Sequence, residues 1–184
     1  MIVFPFLDGL SPTELQAIEL DGECYRMAQH RLPIGFAPTP ELRALAALAG
    51  RPRRLIAALD TAAWIWGARP QPLSVLEFIV TVQARWRPTP SAHLRVIESV
   101  CRPEDVTRLG GRTVTTPLRT AVDIARFGGG ADGHDDTTAD RTICELARIG
   151  GFTLDDAETA AAQRSGAVRT HDVCARLRAA LSPN

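Results

Sequence analysis

The chain has 184 residues and is 45% apolar, enough to bury one good core or two small ones, which excludes a disordered polypeptide. Its formal net charge is zero, every one of the 21 basic residues is arginine, and the charge is uneven: residues 1–50 hold 3 Arg and 6 acids, 51–119 hold 11 and 5, and 120–184 hold 7 and 10. A polyanion should therefore meet the middle first. The cysteines Cys24, Cys101, Cys144 and Cys174 form no C-x-x-C pair, which argues against a zinc ribbon and predicts four reduced, mostly buried thiols. "MIVFPFL" lacks a basic leader segment, and no apolar run reaches the ~18 residues of a membrane span, so the expectation is a cytoplasmic protein with no membrane partner.

In chain order, Ser11-Pro12 with Glu14 predicts a capping box opening a helix, with Leu10 placed to staple onto Leu15 and Gly22 ending it. The segment "ECYRMAQHRLPIGF" then reads as a short hairpin or wing, with Tyr25 and Met27 on one side and Arg26 and His30 on the other. Helix then wing is half of a winged-helix module. Its helix carries Glu14, Gln16, Glu19 and Asp21 and no cation, the wrong sign for a groove reader, so a degenerate winged helix kept as a packing or partner surface leads over sequence-specific DNA binding.

Thr39-Pro40 predicts a second capped helix with Leu42, Leu45, Ala46 and Ala49 apolar and Gly50 closing it. Arg51, Arg53 and Arg54 follow as a solvated elbow that could also touch nucleic acid or an acidic partner, and then an alanine-rich helix ends in Trp64 and Trp66, which read as core or seam packing. Residues 75–82 predict a strand, with 94–100 as its antiparallel mate. The tip between them carries Arg85, Trp86 and Arg87, cations flanking an aromatic, which suits phosphate, a stacked base or an acidic protein patch, or else is an ordinary solvated loop. Gly110-Gly111 predicts a tight hairpin feeding the central segment, residues 112–126, where a strand runs into a helix capped by Thr116 with Pro117 at its first position. Leu118, Ala121, Val122 and Ala125 form its apolar stripe, and Arg119, Asp123 and Arg126 share the other face at ion-pair spacing. A carboxylate between two arginines should have a lowered pKa, wrong for a general acid, so a structural ion pair is the preferred reading of that cluster over a catalytic one.

Residues 128–138 read as a loop in which His134, Asp135 and Asp136 are a poor metal set, and three helices follow: one with Ala139, Ile143, Leu146 and Ala147 inward, one capped by Thr153 with Asp156, and one starting at Thr170 with Val173, Cys174, Leu177, Ala180 and Leu181 inward. There is no P-loop, G-x-G-x-x-G, H-E-x-x-H or G-x-S-x-G, so no enzyme, cofactor or metal is expected.

The central "GGRTVTTPLRTAVDIAR" resembles the V-T-[ST]-P-x-R-T-x-x-D-[LI]-A segment of AbiEi-like proteins, the antitoxin and regulator partners of bacterial type IV toxin-antitoxin pairs. "LSPTELQAIELDGECYRMAQHR", "LIAALDTAAWIWG" and the strand pair around "ARWRPTPSAH" match in the same order, so the resemblance covers most of the chain. It implies an antitoxin that neutralises a nucleotidyltransferase-like toxin and represses its own operon. The alternative is a stand-alone transcription regulator whose partner is promoter DNA. Combined with the elements above, the expected fold is α/β of the α+β kind: a shortened winged-helix-like part (1–38), then an AbiEi-like domain (39–184) with a mainly antiparallel sheet packed with helices and a helical C-terminal part. Arg26, Arg31, Arg53, Arg54, Arg85, Trp86 and Arg87 are the candidate DNA- or partner-binding residues, and Thr116, Pro117, Arg119 and Asp123 the structural motif.

Overall fold

The computed structural model describes residues 5–70, 74–82, 93–127, 136–164 and 167–182. Within them the chain is α+β. Helix α1 (Pro12–Leu20) and an antiparallel hairpin, β1 (Cys24–Met27) with β2 (His30–Pro33), precede a five-stranded sheet covered by helices. The capping box forms as expected: Ser11 Oγ accepts from the Glu14 N–H at 3.3 Å and Glu14 Oε2 accepts from the Ser11 N–H at 2.8 Å. Helix α2 (Pro40–Leu48) starts on the Thr39 cap, but it buries Ala44, Ala46, Ala47 and Leu48, a face rotated from the expected stripe, with Leu42 and Leu45 only half-buried.

The central strand of the sheet is one that the sequence reading passed over. β3 (Ile56–Ala57) is two residues long and leads at once into α3 (Leu59–Trp66), whose residues Leu59–Ile65 are all buried. The sheet order is β5-β4-β3-β7-β6, with β4 (Leu76–Val80), β5 (Leu94–Glu98), β6 (Val106–Leu109) and β7 (Arg112–Thr115). β3 pairs antiparallel with β4 and parallel with β7, while β6 and β7 form the expected antiparallel hairpin around Gly110 (φ +56°) and Gly111 (φ +77°), the left-handed pair that a two-residue turn needs. One expected pairing is corrected: β5 lies parallel to β4, with Leu76 opposite Leu94 and Val80 opposite Glu98. A parallel neighbour is reached by a return connection and not by a tight turn, so alternation in the two strands gave no clue to their direction.

Two large clusters form the core. Met27 and Leu32 of the hairpin join Ala47, Leu48, Leu55, Trp64, Ile65, Phe78 and Val114 in the first, so the N-terminal part packs into the same interior as α2 and α3. The second holds Ala63 of α3 with α4 (Pro117–Phe127), α5 (Asp136–Gly150), α6 (Leu154–Ala162) and α7 (Ala167–Leu181), through Val122, Ile143, Leu146, Ala161, Val173 and Leu177. Helices α5 and α7 begin earlier than expected, at Asp136 and Ala167. Gly150 ends α5 where a Cβ would lie 2.8 Å from Cβ of Pro117, so a glycine there lets α5 close over the start of α4. All four cysteines are free, but only Cys24 is buried; Cys144 is exposed. Among the described residues no helix is long and apolar enough to cross a membrane.

Candidate functional site

The central segment is pinned at both ends. Trp66 Nε1 donates to the Thr115 carbonyl at 2.8 Å, Thr115 Oγ1 and Thr120 Oγ1 lie 2.7 Å apart, and Thr120 Oγ1 donates to the Thr116 carbonyl at 2.8 Å. Thr116 Oγ1 accepts the Arg119 N–H at 3.4 Å, so the expected cap is present. These bonds set the azimuth of α4 and turn its polar side inward.

Here the expectation of an exposed charged face is overturned: Arg119 is 3% and Asp123 2% exposed. Arg119 Nε donates to Asp123 Oδ2 at 2.8 Å and its Nη1 to Asp105 Oδ2 at 2.8 Å, while Nη1 and Nη2 also reach the Val100 carbonyl (3.1 Å) and Ser99 Oγ (3.0 Å). Asp105, in the 3-10 turn Pro103–Asp105, further accepts the Arg102 N–H at 2.9 Å and the Arg164 Nη2 guanidinium from the end of α6. One buried arginine thus ties the end of β5, the turn, and α4, and one buried aspartate joins it to α6. Breaking such a pair on one side strands a charge in the core, at a cost of about 3–5 kcal/mol.

The cluster splits its two carboxyls. Burial would raise Asp105, but the Arg102 N–H and the Arg164 and Arg119 guanidiniums outweigh it and hold the group below the ordinary range. Burial pushes Asp123 up against the pull of Arg119, the opposite of the lowering expected from its two arginine neighbours in sequence. Arg126 does not reach it; the only hydrogen bond of its Nη1 among the described residues is a 3.5 Å contact to the Arg164 carbonyl.

A second buried charge group sits where β3 meets α3. Glu77 of β4, 1% exposed, accepts the Asp60 N–H at 3.2 Å on Oε2 and Arg95 Nη1 at 2.9 Å on Oε1, and Asp60 pairs with Arg69 at 2.8 Å. Burial first, and the Asp60 charge second, raise Glu77. Leu59 between them holds φ +50°, a left-handed backbone that a leucine adopts only at a cost.

The sequence-predicted cations are scattered. Arg26 and Arg31 both bind Glu19 of α1, at 2.6 and 2.9 Å, so the wing cations are tied to the helix they flank. Arg53 and Arg54 are exposed after α2, with Arg53 lining a groove of about 430 Å³ beside Arg112, Phe6 and the Gly110-Gly111 turn. Arg51 is a structural residue and not part of a solvated elbow: its Nε donates to the Ala47 carbonyl at 3.0 Å and its guanidinium lies 5.3 Å from the Phe78 ring centre. Arg85, Trp86 and Arg87, with His134 and Asp135 of the later loop, lie outside the described residues. Part of the basic middle is thereby withdrawn from the surface: Arg69 and Arg119 are buried on carboxylates and Arg95 is tied to Glu77, while Arg53, Arg54 and Arg108 stay exposed.

Sequence reasoning named Arg126 but missed what it meets: Arg102, Asp105, Gln163 and Arg164, with Ser99 and Val100, line a cavity of about 370 Å³ together with it. Pro103 before Glu104-Asp105 was the available hint of a capped turn, but nothing in the spacing places Arg164 beside it.

No protein-family model matches the chain, and no curated protein matches it significantly. Among solved structures it is similar to the crystal structure of the RV2827C protein from Mycobacterium tuberculosis, at 16% identity and a TM-score of 0.49, over 95% of this chain and 70% of that one.

Proposed function

We propose that this chain is a cytoplasmic binding module that acts as an antitoxin, neutralising a nucleotidyltransferase-like toxin by protein contact and repressing their shared operon. The sequence resemblance supplies the class. The observation that carries the protein-contact form is the surface where α1 gives way to the hairpin: Leu20 and Ile34 are 80% and 71% exposed, and Ile34 is bonded across to Glu23. Beside these apolar side chains Glu19 ties up both Arg26 and Arg31, and Asp21 and Glu23 are exposed, which leaves a face suited to protein and ill suited to phosphate. No catalytic role is assigned, since Asp105, Asp123 and Glu77 are each held by arginine.

Co-expression with the neighbouring reading frame tests the reading. Rescue of growth by this chain, lost with Leu20→Asp plus Ile34→Asp, is expected; a harmless neighbour, or toxicity that persists beside the intact chain, overturns it. The stand-alone regulator is the second reading, favoured by the exposed Arg53, Arg54 and Arg108. It requires promoter binding that weakens steeply with salt and on removal of Arg53, Arg54, Arg85 and Arg87, whereas Arg26, already paired, should matter little.

A further inference from the structure

The cavity above the α4 ion cluster has the make-up of an anion site, a property beyond the antitoxin reading and independent of it. Four arginines line it: Arg102 after β5, Arg119 and Arg126 on α4, and Arg164 at the end of α6. The lining carboxylates are Asp105 and Glu98, with Asp123 behind them, which leaves an excess of positive charge. Arg119 and Arg164 are locked in place by Asp105, so two of the four guanidiniums are oriented before any ligand arrives.

The two α4–α6 arginines are also short of acceptors. Nε of Arg126 and Nε of Arg164 are buried and have no hydrogen-bond partner among the described residues. A buried donor left unpaired costs about 1–3 kcal/mol, so both guanidiniums carry unspent hydrogen-bonding capacity beside the cavity they line. The lining arginines come from three separate elements, the segment after β5, α4 and the end of α6, which suits an acceptor carrying several oxygens. The remaining wall includes Val82 and Val100, 42% and 72% exposed, an apolar rim beside the charged floor. About 370 Å³ lies within the ~300–1,000 Å³ of small-molecule sites and well above the needs of a bare phosphate.

We propose that this cavity binds a phosphate monoester of nucleotide size, with the phosphoryl group on Arg102, Arg126 and Arg164 and the uncharged part against Val82 and Val100. Calorimetric titration of the full chain with the four nucleoside monophosphates, adenosine, inorganic phosphate and a 5′-phosphorylated oligonucleotide tests it. At least one mononucleotide should bind saturably below about 1 mM, adenosine should not bind, and Arg126→Gln and Arg102→Gln should each weaken binding about tenfold or more. Both variants lie outside the Asp105–Arg119–Asp123 pairs, and an unchanged ligand-free melting temperature in either one qualifies it as folded. Absence of saturable mononucleotide binding, equal affinity in a folded variant, inorganic phosphate binding as tightly as every nucleotide, or binding of the oligonucleotide alone would each overturn the assignment.

Discussion

The N-terminal helix–hairpin and the seam beneath α4 use the same chemical unit, arginines gathered on a carboxylate, at nearly the same distance: 2.6 Å for Arg26–Glu19 and 2.8 Å for Arg119–Asp123. Their side chains differ in exposure, 66% and 30% in the first pair against 4% and 3% in the second. In water the first pair is screened and contributes little to stability. Its effect is on the surface, where Glu19 holds Arg26, and Arg31 with it, away from an incoming phosphate. The second pair has displaced its water, so its partners depend on one another and on Asp105, and the pair becomes the junction of sheet, turn and helices. Geometry alone would rank the two alike; burial separates them.

The sharpest way to break that contrast is Arg119→Ala, which leaves Asp105 and Asp123 in the core without their shared cation. A loss of about 3–5 kcal/mol in urea unfolding is expected, and a loss no larger than that of an exposed pair would remove the distinction. Gly110→Ala tests the packing that holds the β6–β7 turn against α2: φ is +56° and the new Cβ would stand 2.9 Å from Leu45 Cγ, so about 2 kcal/mol should be lost. On the exposed side, Ser11→Ala removes the α1 cap and should cost about 1 kcal/mol in the same measurement.

The pH dependence sharpens the comparison further. Asp105 is held below the ordinary range, so its contribution is present above the usual carboxylate pKa and is lost as pH falls through its own lower value. Asp123 and Glu77 are raised, so their terms run the other way, favouring the fold below the ordinary carboxylate value and fading as pH climbs through their own. Urea midpoints between about pH 5 and pH 3 should therefore fall gently in the native chain and fall less, or rise, in Asp105→Asn. The smallest effect is expected from Arg26→Ala with Arg31→Ala, which should leave the unfolding midpoint unchanged; if promoter DNA binds at all, its affinity should also be unaltered.

Local signals were legible wherever the chemistry is complete within a few residues. Ser11 with Glu14, Thr39-Pro40, Gly110-Gly111, Thr116-Pro117 and Thr153 with Asp156 each specify a cap or turn without help from distant chain, and each forms. The two-residue β3 was not legible, since Ile56–Ala57 is too short for alternation to register and its strand character comes from lying between β4 and β7. The direction of β5 was hidden for a related reason: side-chain period is the same in parallel and antiparallel pairs. The α4 cluster was half legible. Arg119 and Asp123 are an i, i+4 pair on any helix, but Asp105 and Arg164 stand 14 and 45 residues away from Arg119 and join the cluster, Arg164 through Asp105, only in the folded chain.

The sequence by itself determined where the capped helices α1, α2, α4 and α6 begin, where the β1–β2 and β6–β7 hairpins lie and that the molecule would be α+β, because capping, turn and periodicity energies act over one or two turns of chain. Tertiary structure alone decided which arginines remain available to a partner. A charge is worth little in water and a great deal once buried, and burial is a property of the packed layers that no count along the chain can supply.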